Sequence, residues 1–483
     1  MFFYKLHTET KFVMHRKTIV LYYILFLATI ILSSCSSNNA SIEGRTSSGT
    51  VLSAPTGISA IISDGKATIT WYPVSGAASY NLYVASVSGV KKSNYMSLED
   101  GMKYTINVTS PYILAGITIG KIYYFVVTAV DAAVESPESS EVSVGYGVGG
   151  TFSVTGNMDT AREFATATLL PNGNVLISGG TGTDGAILNS AEIYEPAAGT
   201  FSYSGSMTTA RSGHTAIPLS NSKVLIAGGS TGTGAELYDI DTNTFSSAGS
   251  MITSRTYHTA TLLDNGKVLI SGGIDLSSGG ILNSAELYDP ATGNFSSTGN
   301  MTTSRTYHTA TLLPGGKVLI TGGYSSGSEI YLTTAELYDP VAGSFGTTGK
   351  MATAHSNHTA TLLGNGKVLI AGGMNSSGGV LTKAELYDPV NGAFSYSGDM
   401  TASRFGHAAT LLANEKVLIT GGEWGSSIAE LYDPVTNTFS PTGSMTAARS
   451  NHTTTLLSSG SVLISGGNGG NGVLASAELY LPD

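Results

Sequence analysis

From Thr151 to the chain end, apolar and polar positions recur in one order, seven times over. Each round runs M-x-x-x-R-x-x-H-T-A-T-L-L, a short polar turn, K-V-L-I, a Gly-Gly pair, a variable stretch, A-E-L-Y, an Asp-Pro turn and a Phe. The first glycines of the pairs are Gly179, Gly228, Gly272, Gly322, Gly372, Gly421 and Gly466, so the period lies between 44 and 50 residues. A period of that length with four short strand-like segments indicates repeated sheets rather than helical hairpins. In the third round the predicted strands are His258–Leu263, Lys267–Ser271, Ala285–Tyr288 and Asn294–Ser297, each bounded by Gly, Asn, Asp or Pro.

The turns agree with that order. Asp264-Asn265-Gly266 suits a tight hairpin, because Asn and Gly accept positive φ at small steric cost. Asp289-Pro290-Ala291-Thr292-Gly293 suits a second turn, with Pro presetting φ and Gly closing the bend. Val268-Leu269-Ile270 is apolar on both faces, which a strand is when its sheet is covered on both sides. One four-stranded sheet cannot do this alone, so the rounds must stack, and closing the stack removes its exposed edges. The chain is also out of step with its own repeat. The Phe–Gly–Met part opens the array at Phe152–Met158, and A-E-L-Y ends it at Ala477–Tyr480 with no Phe after it. This predicts a ring in which residues 151–158 complete the last sheet.

The paired glycines, the following Tyr and the aromatic after the Y-D-P turn make residues 151–483 resemble the kelch repeat. Kelch units usually carry Trp where this chain has Phe152, Phe201, Phe245, Phe295, Phe345, Phe394 and Phe439. The resemblance implies an all-β fold, a seven-bladed kelch-type β-propeller.

Ahead of the repeats the pattern changes twice. Met14-His15-Arg16-Lys17 and the apolar run Thr18–Leu32 read as a signal peptide, too short for a comfortable membrane span. Met1 or Met14 is the start. Leu32-Ser33-Ser34-Cys35 resembles the bacterial lipobox, which implies a signal over residues 1–34, cleavage before Cys35 and acyl chains (diacylglycerol, palmitate) on that residue, an anchor stable because each buried CH₂ contributes about 0.8 kcal/mol. Ser36 implies the outer membrane or cell surface. Residues 35–53 read as the lipidated Cys and a flexible tether rich in Ser, Asn, Gly and Thr. Residues 54–146 resemble a fibronectin type III β-sandwich: Pro55 opens it, Trp71 and Tyr80-Asn81-Leu82-Tyr83 sit on early strands, and Tyr123–Asp131 matches the late strand. Gly120 three residues before Tyr123 fits a tyrosine corner, and the module's expected role is a spacer.

Charge adds exclusions. Charged residues are 12% of the chain, the formal net charge is −10, and no Lys/Arg cluster occurs, so nucleic acid is a poor partner. Cys35 is the one cysteine, which rules out an internal disulfide and any Cys-based metal site.

The chemistry on offer is mostly repeated. Arg162, Arg211, Arg255, Arg305, Arg404 and Arg449 precede His214, His258, His308, His358, His407 and His452 in R-x-x-H, with His355 replacing Arg in round five and Ala165 replacing His in round one. His beside the Glu of A-E-L-Y invites a metal, but ligands must meet about 2 Å from one point, and groups repeated around a ring form a belt. Arg–Glu pairing between sheets, or hydrogen bonding that satisfies polar groups there, is the expectation, with Met158 and its equivalents as core filler. Galactose oxidase shares the kelch-type fold, but its Cys–Tyr cofactor is excluded by the single cysteine, and sialidase S-x-D-x-G-x-T-W boxes are absent. Kelch-type sialic acid mutarotases also share the fold, and no unrepeated acid–base pair stands out in this chain. Function is therefore expected where rounds differ, between Gly-Gly and A-E-L-Y, in Trp424, Tyr324, Tyr331, Glu329, Glu423, Asp184 and Asp275. The expectation is a monomeric, membrane-anchored, non-catalytic scaffold that binds a protein or glycan without cofactor or metal. The alternatives are a carbohydrate-active enzyme of the mutarotase or lyase kind, or a purely structural envelope protein.

Overall fold

The computed structural model describes residues 52–482 apart from 64–65, 107–109, 118–120, 132–133, 147–149, 327–330, 376–377 and 424. Cys35, the signal segment, Gly120, Glu329 and Trp424 lie outside the described residues.

Residues 52–146 form two antiparallel sheets. One holds Ser59–Ser63, Lys66–Thr70 and Tyr112–Leu114; the other is built around Ser79–Ala85 and Lys121–Asp131. They share one core containing Ala67, Ile69 and Trp71 from the first side and Leu82, Val84, Phe125 and Val127 from the second. Alternation along the late strand turns Tyr123, Phe125, Val127 and Ala129 into that core. Leu52 packs there too, so the packed body begins inside the segment read as tether. Tyr80 stacks on Trp71 with ring centroids 5.2 Å apart, and its hydroxyl accepts from the Val74 N–H at 2.8 Å.

Residues 151–482 form seven four-stranded antiparallel sheets. In the third the strands are Thr259–Leu262, Val268–Ser271, Ala285–Asp289 and Asn294–Ser297. These lie within one residue of the expected bounds. The first strands of sheets 1 to 7 are Thr166–Leu169, Thr215–Pro218, Thr259–Leu262, Thr309–Leu312, Thr359–Leu362, Ala408–Leu411 and Thr453–Leu456. Each lies against the first strand of the next sheet, and that of sheet 7 lies against that of sheet 1. The seventh sheet takes its fourth strand from the front of the array: Thr151–Val154 pairs antiparallel with Ala477–Leu481, setting Phe152 opposite Tyr480. The first strands are thus neighbours all the way round, and the last sheet draws one strand from each end of the array.

One core sits in each joint between consecutive sheets. Between sheets 3 and 4 it holds Leu263, Leu269, Ala285, Met301, Val318, Ile320 and Tyr338. Between sheets 7 and 1 it holds Met158, Val175, Ile177, Tyr194, Leu457, Leu463 and Ala477. The Met of each round plugs the joint it crosses, a burial contributing roughly 1.5–3 kcal/mol. The Phe standing where kelch units carry Trp packs against the buried Tyr of its own sheet, with centroids 4.9 Å apart for Tyr288 and Phe295. Both hairpin glycines are left-handed as expected: Gly266 has φ 79° and Gly293 φ 69°.

Candidate functional site

The R-x-x-H chemistry is structural, and its layout differs in one respect from the expectation. Arg255 and Glu286 are buried and 2.9 Å apart, but both belong to the third round rather than to facing sheets. Five other Arg–Glu pairs repeat this within 2.7–3.0 Å. Each glutamate also accepts from the crossover backbone, as Glu286 does from the Ile252 and Thr253 N–H groups at 2.6 and 3.1 Å. Coupling between sheets runs instead through the arginine backbone. The carbonyl of Arg305 accepts from Gly273 N at 2.8 Å and its N–H donates to Leu282 O at 3.0 Å, both in the preceding sheet. The Gly-Gly pair is glycine for this reason: at Gly272, with φ 64°, a Cβ would come 2.5 Å from that carbonyl oxygen.

Each histidine reaches back one sheet. The Nε2 of His308 lies 3.1 Å from Thr259 Oγ1, and that of His358 lies 3.0 Å from Thr309 Oγ1. Burial, with the neighbouring arginines, pulls His214, His308, His407 and His452 down to about 3, so the imidazoles are neutral. Six joints have this clasp. The joint between sheets 7 and 1 has Ala165 in its place. Among the described residues no three His, Cys, Asp or Glu side chains are grouped to hold a metal ion.

The feature that the sequence reading missed lies between Arg and His. The second residue after each Arg, or after His355 in round five, is Phe164, Gly213, Tyr257, Tyr307, Asn357, Gly406 or Asn451, and all seven have φ between 52° and 65°. Their backbones form one closed cycle of hydrogen bonds. Gly213 N donates to Phe164 O, Tyr257 N to Gly213 O, Tyr307 N to Tyr257 O, Asn357 N to Tyr307 O, Gly406 N to Asn357 O, Asn451 N to Gly406 O, and Phe164 N to Asn451 O. This collar encircles the ring axis. It stands where the inner strands begin, at the end that carries the crossovers and the loops after Gly-Gly.

Gly and Asn are ordinary residues at such dihedrals; Phe and Tyr are not, and a bulky residue held there costs on the order of 1–3 kcal/mol. The chain accepts this at three of seven places, and the three make one aromatic arc. Tyr257 meets Phe164 edge-on at 5.8 Å and Tyr307 at 4.6 Å. Gly213 lies beneath that arc, where a Cβ would come 2.7 Å from the Tyr257 ring. The opposite arc is amide: the side chains of Asn357 and Asn451 converge over Gly406. Glu163 stands at the junction, accepting from Asn451 Nδ2 at 3.3 Å and Asn468 Nδ2 at 3.5 Å. Burial pushes the Tyr257 phenol up, its bond to Tyr307 opposes this, and the nearby Glu163 carboxylate adds to the rise. Tyr307 is pushed up as well, chiefly by burial. Both phenols are therefore neutral over the physiological range. The sequence signal for this mouth was the pair after each Arg or, in round five, after His355: Glu-Phe, Ser-Gly, Thr-Tyr, Thr-Tyr, Ser-Asn, Phe-Gly and Ser-Asn, which varies inside an otherwise constant run.

The loop residues singled out from sequence fare unequally. Tyr324 bridges Thr306, the residue before Tyr307, and packs edge-on against Tyr331 at 5.5 Å, so this pair flanks the aromatic arc. Glu423 accepts from Ser403 Oγ at 2.7 Å, while its N–H donates to Phe405 O beside Gly406. Asp184 caps its own turn by accepting from Ala186 N at 2.9 Å. Asp275 accepts from the hydroxyls of Ser254, Ser277 and Ser278, which hold its carboxyl well below the usual range. Both aspartates shape loops.

Comparison with known proteins places the architecture. A family model described as the KLHDC2/KLHL20/DRC7 Kelch-repeats domain matches residues 165–373. A fungal alcohol oxidase of the AA5 family, solved in complex with copper, is similar with a TM-score of 0.56 at 18% identity, over 70% of this chain and 76% of that one. The structure of YjhT is similar with a TM-score of 0.47 at 15% identity, over 57% of this chain and 98% of that one. No curated protein matches the chain. The chain carries a kelch-repeat propeller fold. The expectation of a non-enzymatic protein is corrected here. An oxidase stands on the same fold, so the lack of recognised catalytic motifs does not separate this chain from enzymes.

Proposed function

We propose that the seven sheets are the blades of a seven-bladed kelch-type β-propeller closed by residues 151–158, and that its collar end binds a protein or glycan. A fibronectin type III-like module over residues 54–146 spaces it from a lipidated Cys35 at the outer membrane or cell surface, after a signal over residues 1–34 and a tether over residues 35–53. The observation that carries the binding reading is the collar. Seven equivalent backbone sites fixed in one cycle present unlike side chains on one mouth, with three aromatics at dihedrals that disfavour them. Rigid scaffold and varied residues at one end are the usual layout for recognition.

Capture of envelope proteins and a glycan array by the purified chain tests this. Tyr257→Ala with Tyr307→Ala is expected to abolish capture, and Asp184→Ala to leave it intact; equal capture by all three proteins would count against the mouth. For the anchor, Cys35→Ala is expected to move the protein from the membrane to the soluble fraction.

One observation favours a second reading, turnover of a sugar at the same mouth. Glu163 is the one charged residue among the fourteen in the collar and before it, and it stands near a phenol, an arrangement able to serve as base and acid. Sugar turnover lost in Glu163→Gln would favour it.

A further inference from the structure

The collar selects the charge of its ligand, a conclusion that rests on the axial mouth being the binding site. Its backbone offers nothing to an anion, because all seven N–H groups are spent on neighbouring carbonyls. Among the described residues no lysine or arginine is in the collar or directly before it; at this end Lys383 pairs with Asp399 at 2.8 Å and Lys350 stands in a crossover. The six arginines are buried and paired with glutamates beneath the mouth. Lys223, Lys267, Lys317, Lys367 and Lys416 sit in the hairpins between first and second strands, which the antiparallel order sets at the opposite end, and each is 3.0–3.7 Å from an aspartate there.

The collar and the residues directly before it hold one carboxylate, Glu163, and an electron-rich wall. Glu163 is in no salt bridge among the described residues; only amide N–H groups of Asn451 and Asn468 reach it, at the long distances given above. Phe164, Tyr257 and Tyr307 are half-buried, and ring faces carry the negative side of the aromatic quadrupole. A positive charge set against such faces beside a carboxylate gains from both, and an ammonium group is the form that aromatic walls hold best.

We propose that the axial mouth seats an organic cation, an alkylammonium group lying against the Tyr257–Tyr307 wall with Glu163 as its counter-charge. Asn357 and Asn451, on the amide arc, hydrogen-bond the polar remainder of the ligand. The group has two sources, a quaternary amine or the primary amine of an amino sugar.

Calorimetric titration of the whole chain with two matched pairs tests this: choline against its uncharged isostere 3,3-dimethyl-1-butanol, and glucosamine against glucose. The expected result is that at least one cation binds about tenfold or more tightly than its neutral partner. Choline preference assigns the quaternary source and glucosamine preference the primary one. Glu163→Gln is expected to bring the cation down to the level of its partner, and Tyr307→Leu to weaken it about tenfold, with thermal melts reporting that each variant is folded. Cation and neutral partner binding alike in both pairs, or Glu163→Gln leaving the preference unchanged, overturns the proposal. In either case, protein or glycan capture that is still lost in Tyr257→Ala with Tyr307→Ala leaves the mouth as the binding site and removes only its preference for charge.

Discussion

Arg305 and Glu336 lie 2.7 Å apart with almost no exposed surface, and the guanidinium also donates to the carbonyls of Gly322 and Thr334. Two charges so enclosed gain little net stability from each other, since desolvation offsets their attraction, but removing one strands the other. Arg305→Met is therefore expected to lower stability by about 3–5 kcal/mol, read from urea unfolding, whereas Arg305→Met combined with Glu336→Leu recovers most of it. Recovery is the diagnostic: a double variant as weak as the single would mean that the bonds to the Gly322 and Thr334 carbonyls matter more than the ion pair. The aromatic collar residues teach a different lesson about legibility. The constant letters of the repeat reveal its strands and turns because they answer to burial and backbone sterics. Tyr257 and Tyr307 answer to neither. Their signature was a left-handed position where Gly and Asn alternate with aromatics, hidden in two letters of a motif that otherwise looked like packing.

At the scale of one sheet, the unit is a joint rather than a blade, because every core spans two sheets. That much was legible: Val268-Leu269-Ile270 had to be covered on both sides, and it is. The direction of the polar coupling was not, because spacing in sequence cannot tell whether Arg255 meets a glutamate of its own round or of the next. Six joints carry a histidine clasp, and the seventh, which also depends on the short pairing of Thr151–Val154 with Ala477–Leu481, has Ala165. Thr453 Oγ1 and Ser465 Oγ stand 2.8 Å apart on the facing sheet, the arrangement that Thr259 and Ser271 present to His308. Ala165→His is expected to complete the belt and raise the thermal midpoint by a few degrees, since about 1 kcal/mol moves a chain of this size by roughly 2–4 °C. A lowered midpoint would show that the space is already filled.

Over the whole molecule the six clasps add up to a pH response with a definite sign. Their histidines are held far below the ordinary value of 6.5, to about 3 in four cases, so the unfolded chain binds more protons between those limits. Stability is complete above pH 6.5 and is lost as pH falls through the window toward 3. The paired aspartates of the hairpin end, also held low, are ordinarily ionised above about 4. The interval from 6.5 to 4.5 thus belongs to the histidines. The urea midpoint is expected to fall steadily across that interval, and less steeply once His308 and His358 are both replaced by Gln. A flat profile there would mean that the clasps protonate without opening the joints. The collar has a separate consequence. Its seven backbones satisfy one another and share one conformation, so the frame's hydrogen bonds do not depend on which side chains its non-glycine positions carry. A library varied at 164, 257, 307, 357 and 451, with Gly213 and Gly406 kept because a Cβ there would crowd Tyr257 and Asn451, would change what this end presents while the frame stays the same.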